Sequence, residues 1–370
     1  MTEPHGLKIL STLGEDGRLT VELAEEVLPV PTGAQLLVRV EAAPINPSDL
    51  GLLFGPADLE KAEFSDGRIV AQVPDAALRA MAARLGQAMA VGNEGAGTVI
   101  AAGDAPEAQA LIGKLVACVP GGMFAQYRLV DASACITLPD SATAEQGASA
   151  FVNPLTALGF VETMKREGHK AIVHTAAASN LGQMLVRIAQ EDGIPLVNIV
   201  RSPAQATLLQ KLGAQHIVDS SSGNFNDDLI AAIGATGATI GFDAIGGGPL
   251  AGQILHAMEQ VASKDAPYSR YGSDTPKQVY IYGALDLSPT LLTRSFGFSW
   301  NVGGWLLFPF LQRAGAETVE RMRSRVRSGL TTTFASHYKA RISLKDALSR
   351  DAVLAYNARR TGEKHLIVPN

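Results

Sequence analysis

The clearest pattern of hydrophobic positions lies near the middle of the chain, over residues 170–201. Residues 171–174 form a short apolar run, which is typical of a strand buried on both faces of a parallel sheet. Apolar side chains then recur at helical spacing over residues 181–189, and Asp192-Gly193 ends that stretch. A second apolar run covers residues 194–200. Strand, turn, helix and strand in this order predict a right-handed βαβ unit.

The turn of this unit, residues 175–182, is built from small or polar residues apart from one leucine. Ala176, Ser179 and Gly182 are spaced by three, as in a relaxed G-x-G-x-x-G motif. Because a helix N-terminus offers unpaired N–H groups, such a turn suits the pyrophosphate of a dinucleotide. A generic crossover with a small-residue turn is the alternative. The residues predicted to bind the cofactor here are Thr175, Ala176, Ser179, Asn180, Leu181 and Gly182.

Arg201 stands at the end of the second strand, where an acidic residue holds the ribose 2′-hydroxyl of NAD and an arginine accommodates the 2′-phosphate of NADP. No acidic residue occurs between Pro195 and Lys211. The sequence therefore favours NADP(H), with a solvated surface arginine as the alternative reading of Arg201. Ser202 is either a second phosphate partner or the N-cap of the helix that begins at Pro203.

The remaining pattern divides the chain into a β-rich part and an alternating part. Residues 1–145 contain many short strands with Gly and Pro between them, which suggests a small, partly open barrel. The segment 58–85 within it looks like an expanded loop with helical stretches. Residues 146–308 alternate strand and helix, as in a doubly wound parallel sheet. Residues 309–370 predict two helices, the second over 344–360, and a last strand, so the fold class is α/β.

Composition excludes several classes of function. A net charge of −5 and 18% charged residues argue against nucleic-acid or membrane-surface binding. The basic run 321–327 fits the solvated face of a helix, and the apolar stretch 296–311 is short and broken. The start of the chain does not look like a signal peptide. With Cys118 and Cys135 as the only cysteines and no zinc-ligand spacing, we expect no metal and a cytoplasmic location.

Ten segments in order resemble the medium-chain dehydrogenase/reductase superfamily, in its zinc-free quinone oxidoreductase and enoyl reductase branch. They read INPSDL at 45–50, GNEGAGTV at 92–99, FAQYRLV at 124–130, NPLTALG at 153–159, SNLGQMLVRIAQ at 179–190, LGAQHIVD at 212–219, FDAIGG at 242–247, IYGAL at 281–285, GGWLL at 303–307 and TGEKHLIVP at 361–369. The resemblance implies a GroES-like catalytic domain from residues 1–145 and 309–370, a Rossmann domain at 146–308, and a homodimer.

Differences from that family reduce the number of reactions that this sequence is expected to catalyse. The zinc ligands and the four-cysteine lobe of zinc-dependent relatives are missing, so Lewis-acid alcohol oxidation is not expected. The tyrosine that enoyl-thioester reductases of the family use as proton donor has no counterpart after Asn46-Pro47-Ser48-Asp49. The segments 56–90 and 262–277 are also longer than in most relatives.

The resemblance also assigns site residues outside the turn. Asn46 and Asp49 would line the catalytic cleft, with helix capping as the alternative. Asn153 and Thr156 would face the cofactor, with N-capping of a helix at Pro154 as the alternative. Tyr282 and Gly283 end a strand at the carboxyl edge of the sheet, and Lys364 matches a family lysine near the cofactor.

These features predict an NADPH-dependent, zinc-independent reductase that transfers hydride to a quinone or a related α,β-unsaturated carbonyl compound. The alternatives are a 2-enoyl-thioester (CoA or ACP) reductase with another proton donor, and a cofactor-binding protein without turnover. The expected partners are a small-molecule substrate and a second copy of the chain.

Overall fold

The computed structural model describes residues 5–370. Its strands are β1 (His5–Leu13), β2 (Arg18–Val27), β3 (Gln35–Pro44), β4 (Glu63–Ser65), β5 (Arg68–Gln72), β6 (Ala88–Ala90), β7 (Gly95–Ala102), β8 (Leu115–Cys118), β9 (Tyr127–Asp131), β10 (Cys135–Thr137), β11 (Ile172–His174), β12 (Leu196–Val200), β13 (His216–Asp219), β14 (Ile240–Asp243), β15 (Gly246–Gly248), β16 (Lys277–Ile281), β17 (Asp286–Thr290), β18 (Trp300–Gly304), β19 (Ala340–Ile342) and β20 (His365–Ile367). Its α-helices are α1 (Pro47–Leu53), α2 (Asp75–Leu78), α3 (Pro106–Gln109), α4 (Ala144–Gly147), α5 (Val152–Arg166), α6 (Asn180–Asp192), α7 (Pro203–Lys211), α8 (Phe225–Thr236), α9 (Leu250–Ser263), α10 (Leu307–Ala314), α11 (Ala316–Ser328) and α12 (Arg350–Asn357).

The chain forms two compact units. The first contains the described residues up to Val152 together with Arg323–Asn370, and the second contains Asn153–Met322. The boundaries thus fall at 152 and 322, where the sequence analysis placed them at 145 and 308. Both boundaries fall within helices: one follows Val152, the first residue of α5, and the other follows Met322 in α11.

The first unit is a β structure with two sheets. One sheet has the strand order β4-β5-β2-β1-β6, and the other has the order β10-β8-β7-β3-β20-β19, with β9 also paired to β3. The last strand, β20, is antiparallel to β3, so residues from both ends of the chain share one sheet. The buried side chains of β1, β2, β3 and β7 form one hydrophobic core together with helices α1 and α12.

The sequence analysis expected an expanded loop over residues 58–85, but the segment contains strands β4 and β5, and β6 follows it. Strand β5 pairs antiparallel with β2, and β6 pairs antiparallel with β1, so the segment widens a sheet. Its helical part is short, and Arg84 ties it down by donating to Ser11 Oγ and to the Leu52 carbonyl, both at 2.6 Å. The short strands escaped the sequence analysis because alanine and arginine in 79–84 gave a stronger helical signal.

The second unit is a six-stranded parallel sheet flanked by helices. Its strand order is β13-β12-β11-β14-β16-β18, which is the order 3-2-1-4-5-6 of a dinucleotide-binding Rossmann sheet. Every residue of β11 and β12 is buried, as the continuous apolar runs predict for inner parallel strands. The structure thus confirms the α/β fold class with a parallel Rossmann-type sheet.

A buried ion pair anchors the end of the segment 262–277, where the chain enters strand β16. Lys277 Nζ lies 2.7 Å from Glu259 Oε2, and the side chains are 0% and 7% exposed. Glu259 also accepts hydrogen bonds from the Ser273 backbone N–H at 2.8 Å and from its hydroxyl at 2.7 Å. The same carboxylate accepts from the Ser263 hydroxyl at 2.7 Å, so Glu259 of α9 contacts residues near both ends of the segment 262–277.

One predicted helix is wrong in extent. Residues 344–360 do not form a single helix, since a 3₁₀ turn at Asp346–Leu348 precedes α12. Ser349 separates the two because its hydroxyl caps α12, accepting from the Ala352 N–H at 3.4 Å.

Candidate functional site

The turn between β11 and α6 has the backbone of a dinucleotide-binding turn with few glycines. Ala176 has a φ of 50°, in the left-handed region where the fingerprint normally uses glycine. Ser179 caps α6 by accepting from the Gly182 N–H at 3.1 Å. A β-carbon at position 182 would lie 2.1 Å from the Ala177 carbonyl oxygen, so only glycine permits this close packing. These residues fit a pyrophosphate on the α6 N-terminus.

The predicted turn residues divide into two groups. Ala176, Ser179, Asn180, Leu181 and Gly182 form the turn and the first residues of α6. Thr175 differs, because its hydroxyl donates to Asp243 Oδ1 at 2.7 Å and accepts from the Ala244 N–H at 2.8 Å. The Thr175 side chain is fully buried and joins β11 to the end of β14. It therefore supports the turn, and its hydroxyl is engaged within the protein.

Arg201 follows β12 directly and is exposed, so its guanidinium is available to a ligand. Its backbone N–H donates to Gln205 Oε1 at 3.0 Å, which fixes the main chain there. Ser202 is the N-cap of α7 and accepts from the Gln205 N–H at 3.4 Å. Of the two readings of Ser202, the structure supports capping. Arg201 remains as the residue suited to a 2′-phosphate.

Tyr282 and Gly283 lie just after β16, at the carboxyl edge of the sheet. The Tyr282 hydroxyl is 2.8 Å from His174 Nε2, and both rings pack against Phe160. Burial lowers the pKa of His174 to about 3 and raises that of Tyr282. His174 is therefore a neutral packed residue, as expected. A β-carbon at Gly283 would lie 2.6 Å from the Ala244 carbonyl oxygen, so this glycine permits close packing.

Asn153 and Thr156 lie in the first turns of α5. The helix begins at Val152 and not at Pro154, so Asn153 is its second residue. The capping role considered for Asn153 is therefore wrong. Thr156 is 6% exposed, and its side chain is largely enclosed.

A second cluster of polar side chains lies in the first unit, around Asn46 and Asp49. Asp49 accepts from the backbone N–H of Asn46 and from that of Asn93, each at 2.7 Å. The Asn46 amide donates to Glu94 Oε1 at 2.9 Å. Both residues are almost completely buried, and burial raises the pKa of Asp49 to about 7. The capping alternative considered for Asp49 is thus what its contacts show.

Glu94 is the centre of this cluster. Its other oxygen, Oε2, accepts from the backbone N–H groups of Phe151 at 3.1 Å and Val152 at 2.8 Å. The residue is fully buried, and this burial raises its pKa while nearby Lys364 opposes the rise. Glu94 was quoted in the motif at 92–99 but was not predicted as a site residue. The sequence offered one signal for Glu94: it is an acidic residue in a glycine-rich stretch that leads into a buried strand.

Lys364 approaches the same cluster from the end of the chain. Its Nζ donates to Ser149 Oγ at 2.7 Å, and the Ser149 oxygen lies 2.9 Å from the Tyr338 hydroxyl. Burial lowers the pKa of Lys364 to about 8, and the charges of Glu94 and Asp49 oppose this shift. Ser149 and Tyr338 were not predicted, because they come from distant segments without a shared motif.

Among residues 5–370, no group of three or more His, Cys, Asp and Glu side chains is arranged to hold a metal ion. In the same residues no helix has the length and apolar character that crossing a bilayer requires.

Comparison with known proteins shows which proteins these two units resemble. Residues 32–140 match the alcohol dehydrogenase GroES-like domain. A solved structure provisionally assigned as an NADPH:quinone reductase, from Mesorhizobium loti, is 27% identical with a TM-score of 0.76, and the match covers 100% of both chains. The Escherichia coli quinone oxidoreductase, solved with NADPH, has a TM-score of 0.70 at 18% identity, covering 98% of this chain and 100% of that one.

The curated relatives match over shorter stretches. The bovine mitochondrial enoyl-[acyl-carrier-protein] reductase is 27% identical over 209 residues, which are 55% of this chain and 50% of that enzyme. This chain therefore spans about half of that relative, and only 6% of a highly reducing polyketide synthase from Gibberella zeae. The match of residues 32–140 and the solved structures of the same fold confirm the resemblance to the zinc-free quinone oxidoreductase and enoyl reductase branch of the medium-chain dehydrogenase/reductase superfamily.

Proposed function

We propose that this protein is an NADPH-dependent oxidoreductase that reduces quinones or related α,β-unsaturated carbonyl compounds without zinc. The observation that carries the cofactor is the βαβ turn, whose left-handed Ala176 and close-packed Gly182 leave the α6 N-terminus suited to a pyrophosphate. Exposed Arg201, with no acidic residue from 195 to 211, favours the 2′-phosphate of NADP(H) over the free hydroxyl of NAD(H). NADPH-bound relatives of the same fold support this choice.

In this proposal the protein binds and orients the cofactor and the substrate, because the bound cofactor supplies the hydride. The turn residues and Arg201 hold the dinucleotide, and Asn153, Thr156, Tyr282, Gly283 and Lys364 remain proposed neighbours of it. Asn46 and Asp49 support the site instead of reacting, because their side chains are buried and bonded to Glu94 and to backbone N–H groups. Reduction of a quinone needs no dedicated acid, because water protonates the hydroquinone oxygen.

Consumption of NADPH across matched acceptors tests the proposal. The purified chain is assayed with simple quinones, with enones and with crotonyl thioesters, and with NADH in place of NADPH as the matched control. We expect turnover with quinones or enones, at least tenfold faster with NADPH than with NADH. Faster turnover of crotonyl thioesters would favour the enoyl reductase alternative, which the bovine relative supports. Tight NADPH binding without turnover of any acceptor would favour a cofactor-binding protein.

We also propose that the protein is a homodimer. Strand β18 is the edge of the six-stranded sheet, and an edge strand presents N–H and C=O groups to another chain. Large apolar side chains near it in sequence are exposed, Leu287 at 84% and Phe298 at 80%. Light scattering on the eluted protein should give twice the chain mass, and L287E/F298E should elute as a monomer. A monomeric wild-type protein at micromolar concentration would refute the proposal.

A further inference from the structure

The two cysteines of the chain face each other across neighbouring strands. Cys118 is the last residue of β8 and Cys135 is the first residue of β10, and the register of this antiparallel pair places them directly opposite each other. Side chains of directly opposite residues lie on the same face of a sheet, and their Cα atoms are about 4.5–5.5 Å apart. A disulfide needs Cα atoms about 4.4–6.8 Å apart. The register therefore permits a disulfide, although both thiols are free.

The side chains of this pair already interact. A hydrogen bond with Cys135 raises the pKa of the Cys118 thiol well above its ordinary value, and burial adds to this shift. Both side chains belong to one hydrophobic core, in which Cys118 is buried and Cys135 packs against it. Because the two thiols are in contact in the folded chain, a bond between the sulfur atoms requires only a local adjustment.

Strand β10 can make this adjustment at a low cost in free energy. It is three residues long and stands at the edge of its sheet, with β8 as its neighbour. A 3₁₀ turn, Ala132–Ala134, precedes it. Short elements with few pairing partners open locally at a lower free energy than inner strands. Cys135 can therefore approach Cys118 while the inner strands of the sheet keep their pairing.

The two thiols differ in their access to solvent. Cys135 is partly exposed, and its thiol donates to the Asp131 carbonyl at 3.6 Å. Cys118 is 0% exposed. Because oxidation of a cysteine follows its exposure, a small oxidant from solvent reaches Cys135 first. Cys118 then lies where it can react with the oxidised Cys135 side chain.

We propose that Cys118 and Cys135 form a peroxide-sensitive dithiol that closes into a reversible cross-strand disulfide. Cys135 reacts with the hydroperoxide, and Cys118 resolves the product. This oxidation site goes beyond the proposed NADPH-dependent reaction and does not depend on it, since both cysteines lie in the first unit and the dinucleotide turn lies in the second.

The oxidation has two steps. Cys135 loses its proton and attacks one peroxide oxygen, so that an S–O bond forms while the O–O bond breaks. The sulfur loses two electrons and becomes a sulfenic acid, and the other peroxide oxygen takes up the proton and leaves as water or an alcohol. The Cys118 sulfur then attacks the Cys135 sulfur. An S–S bond forms, the S–O bond breaks, and water leaves with the Cys118 proton. A small thiol restores both cysteines by exchange.

The disulfide would act on a loop that contacts the polar cluster around Asp49. It closes a ring over residues 118–135, which includes the loop between β8 and β9. In this loop the Gly121 N–H donates to the Asn93 carbonyl at 3.3 Å, and the Asn93 N–H donates to Asp49. A cross-link removes conformations from the opened state, so the loop amides should exchange with solvent about tenfold or more slowly in the oxidised protein.

Treatment of the purified full chain with hydrogen peroxide tests this assignment. After the peroxide is removed, the chain is unfolded so that both cysteines can be alkylated, and its intact mass is measured. We expect the wild-type chain to lose the mass of two hydrogen atoms, to carry no alkylated thiol, and to yield a peptide pair that joins Cys118 to Cys135. Treatment with dithiothreitol before alkylation should restore both thiols.

Two serine variants separate the roles of the cysteines, and circular dichroism before oxidation checks that each is folded. In C118S, Cys135 should still form a sulfenic acid, and dimedone should trap about tenfold or more of it than in wild type, where Cys118 removes it. In C135S, the enclosed Cys118 should remain a thiol.

Three results with the wild-type chain would overturn the proposal, whatever the variants do. They are two intact thiols after peroxide, a sulfinic acid on Cys135 beside a free Cys118, and disulfides that form only between chains. Equal amide exchange of the loop in the oxidised and reduced proteins would refute the effect on the polar cluster. Because none of these measurements uses NADPH, failure of the proposed reductase activity leaves them unaffected.

Discussion

Replacement of Arg201 by aspartate should weaken NADPH binding on the order of 100-fold while changing NADH binding by less than threefold. A charge-assisted contact to a phosphate contributes about 1.5–3 kcal/mol, and about 1.4 kcal/mol corresponds to a factor of ten in affinity. The new carboxylate adds repulsion toward the 2′-phosphate, whereas NADH carries only a hydroxyl there. Dissociation constants from fluorescence titration of both nucleotides measure this selectivity.

Lys170→Asp is the matched control for this change. Lys170 is also exposed, but it precedes β11 and so lies toward the amino edge of the parallel sheet, away from the turn. The same reversal of charge there should lower NADPH affinity by less than threefold. If the Arg201 variant lost affinity equally for both nucleotides, the assignment of the 2′-phosphate to Arg201 would be wrong.

Truncation of Glu94 to alanine should reduce the free energy of unfolding by about 3–5 kcal/mol, which is the range for removing one partner of a buried ion pair. Three donors would lose their acceptor, namely the Asn46 amide and the N–H groups of Phe151 and Val152. A buried donor without a partner costs about 1–3 kcal/mol. Lys364 would also lose a buried negative neighbour. Urea unfolding followed by circular dichroism measures the change.

Two variants control this experiment. Glu94→Gln keeps the size and one acceptor oxygen, so its loss should lie between zero and that of the alanine variant. Glu107 is an exposed carboxylate on α3, and its replacement by alanine should change stability by no more than about 0.5 kcal/mol. A Glu94→Ala protein as stable as Glu107→Ala would show that the hydrogen bonds to Glu94 do not hold this part of the unit together.

Local patterns predicted the second unit well. The apolar runs of β11 and β12 and the helical spacing of α6 are determined by neighbours in sequence, so the βαβ unit could be recognised without the rest of the chain. Arg201 could be found by its distance from the turn. The direction of the Thr175 side chain could not be predicted in this way, because its hydrogen-bond partner Asp243 is 68 positions away in the sequence.

The first unit was less accessible to sequence reasoning for the same physical reason. Its order depends on pairing between distant strands, such as β3 with β20, and on polar contacts between segments that share no motif. Ser149, Tyr338 and Lys364 meet only when the chain is folded. Periodicity therefore indicated where the strands are, while the partners of the buried polar groups had to come from the structure.

The left-handed alanine in the turn has a consequence for the entropy that ligand binding costs. A glycine at position 176 would sample many backbone conformations before binding, and a ligand would have to select one of them. Ala176 accepts a strained conformation, at roughly 1–2 kcal/mol, and offers fewer alternatives. Under the proposed function, the entropy of ordering the phosphate site is thus lost during folding of the chain and not during each catalytic cycle.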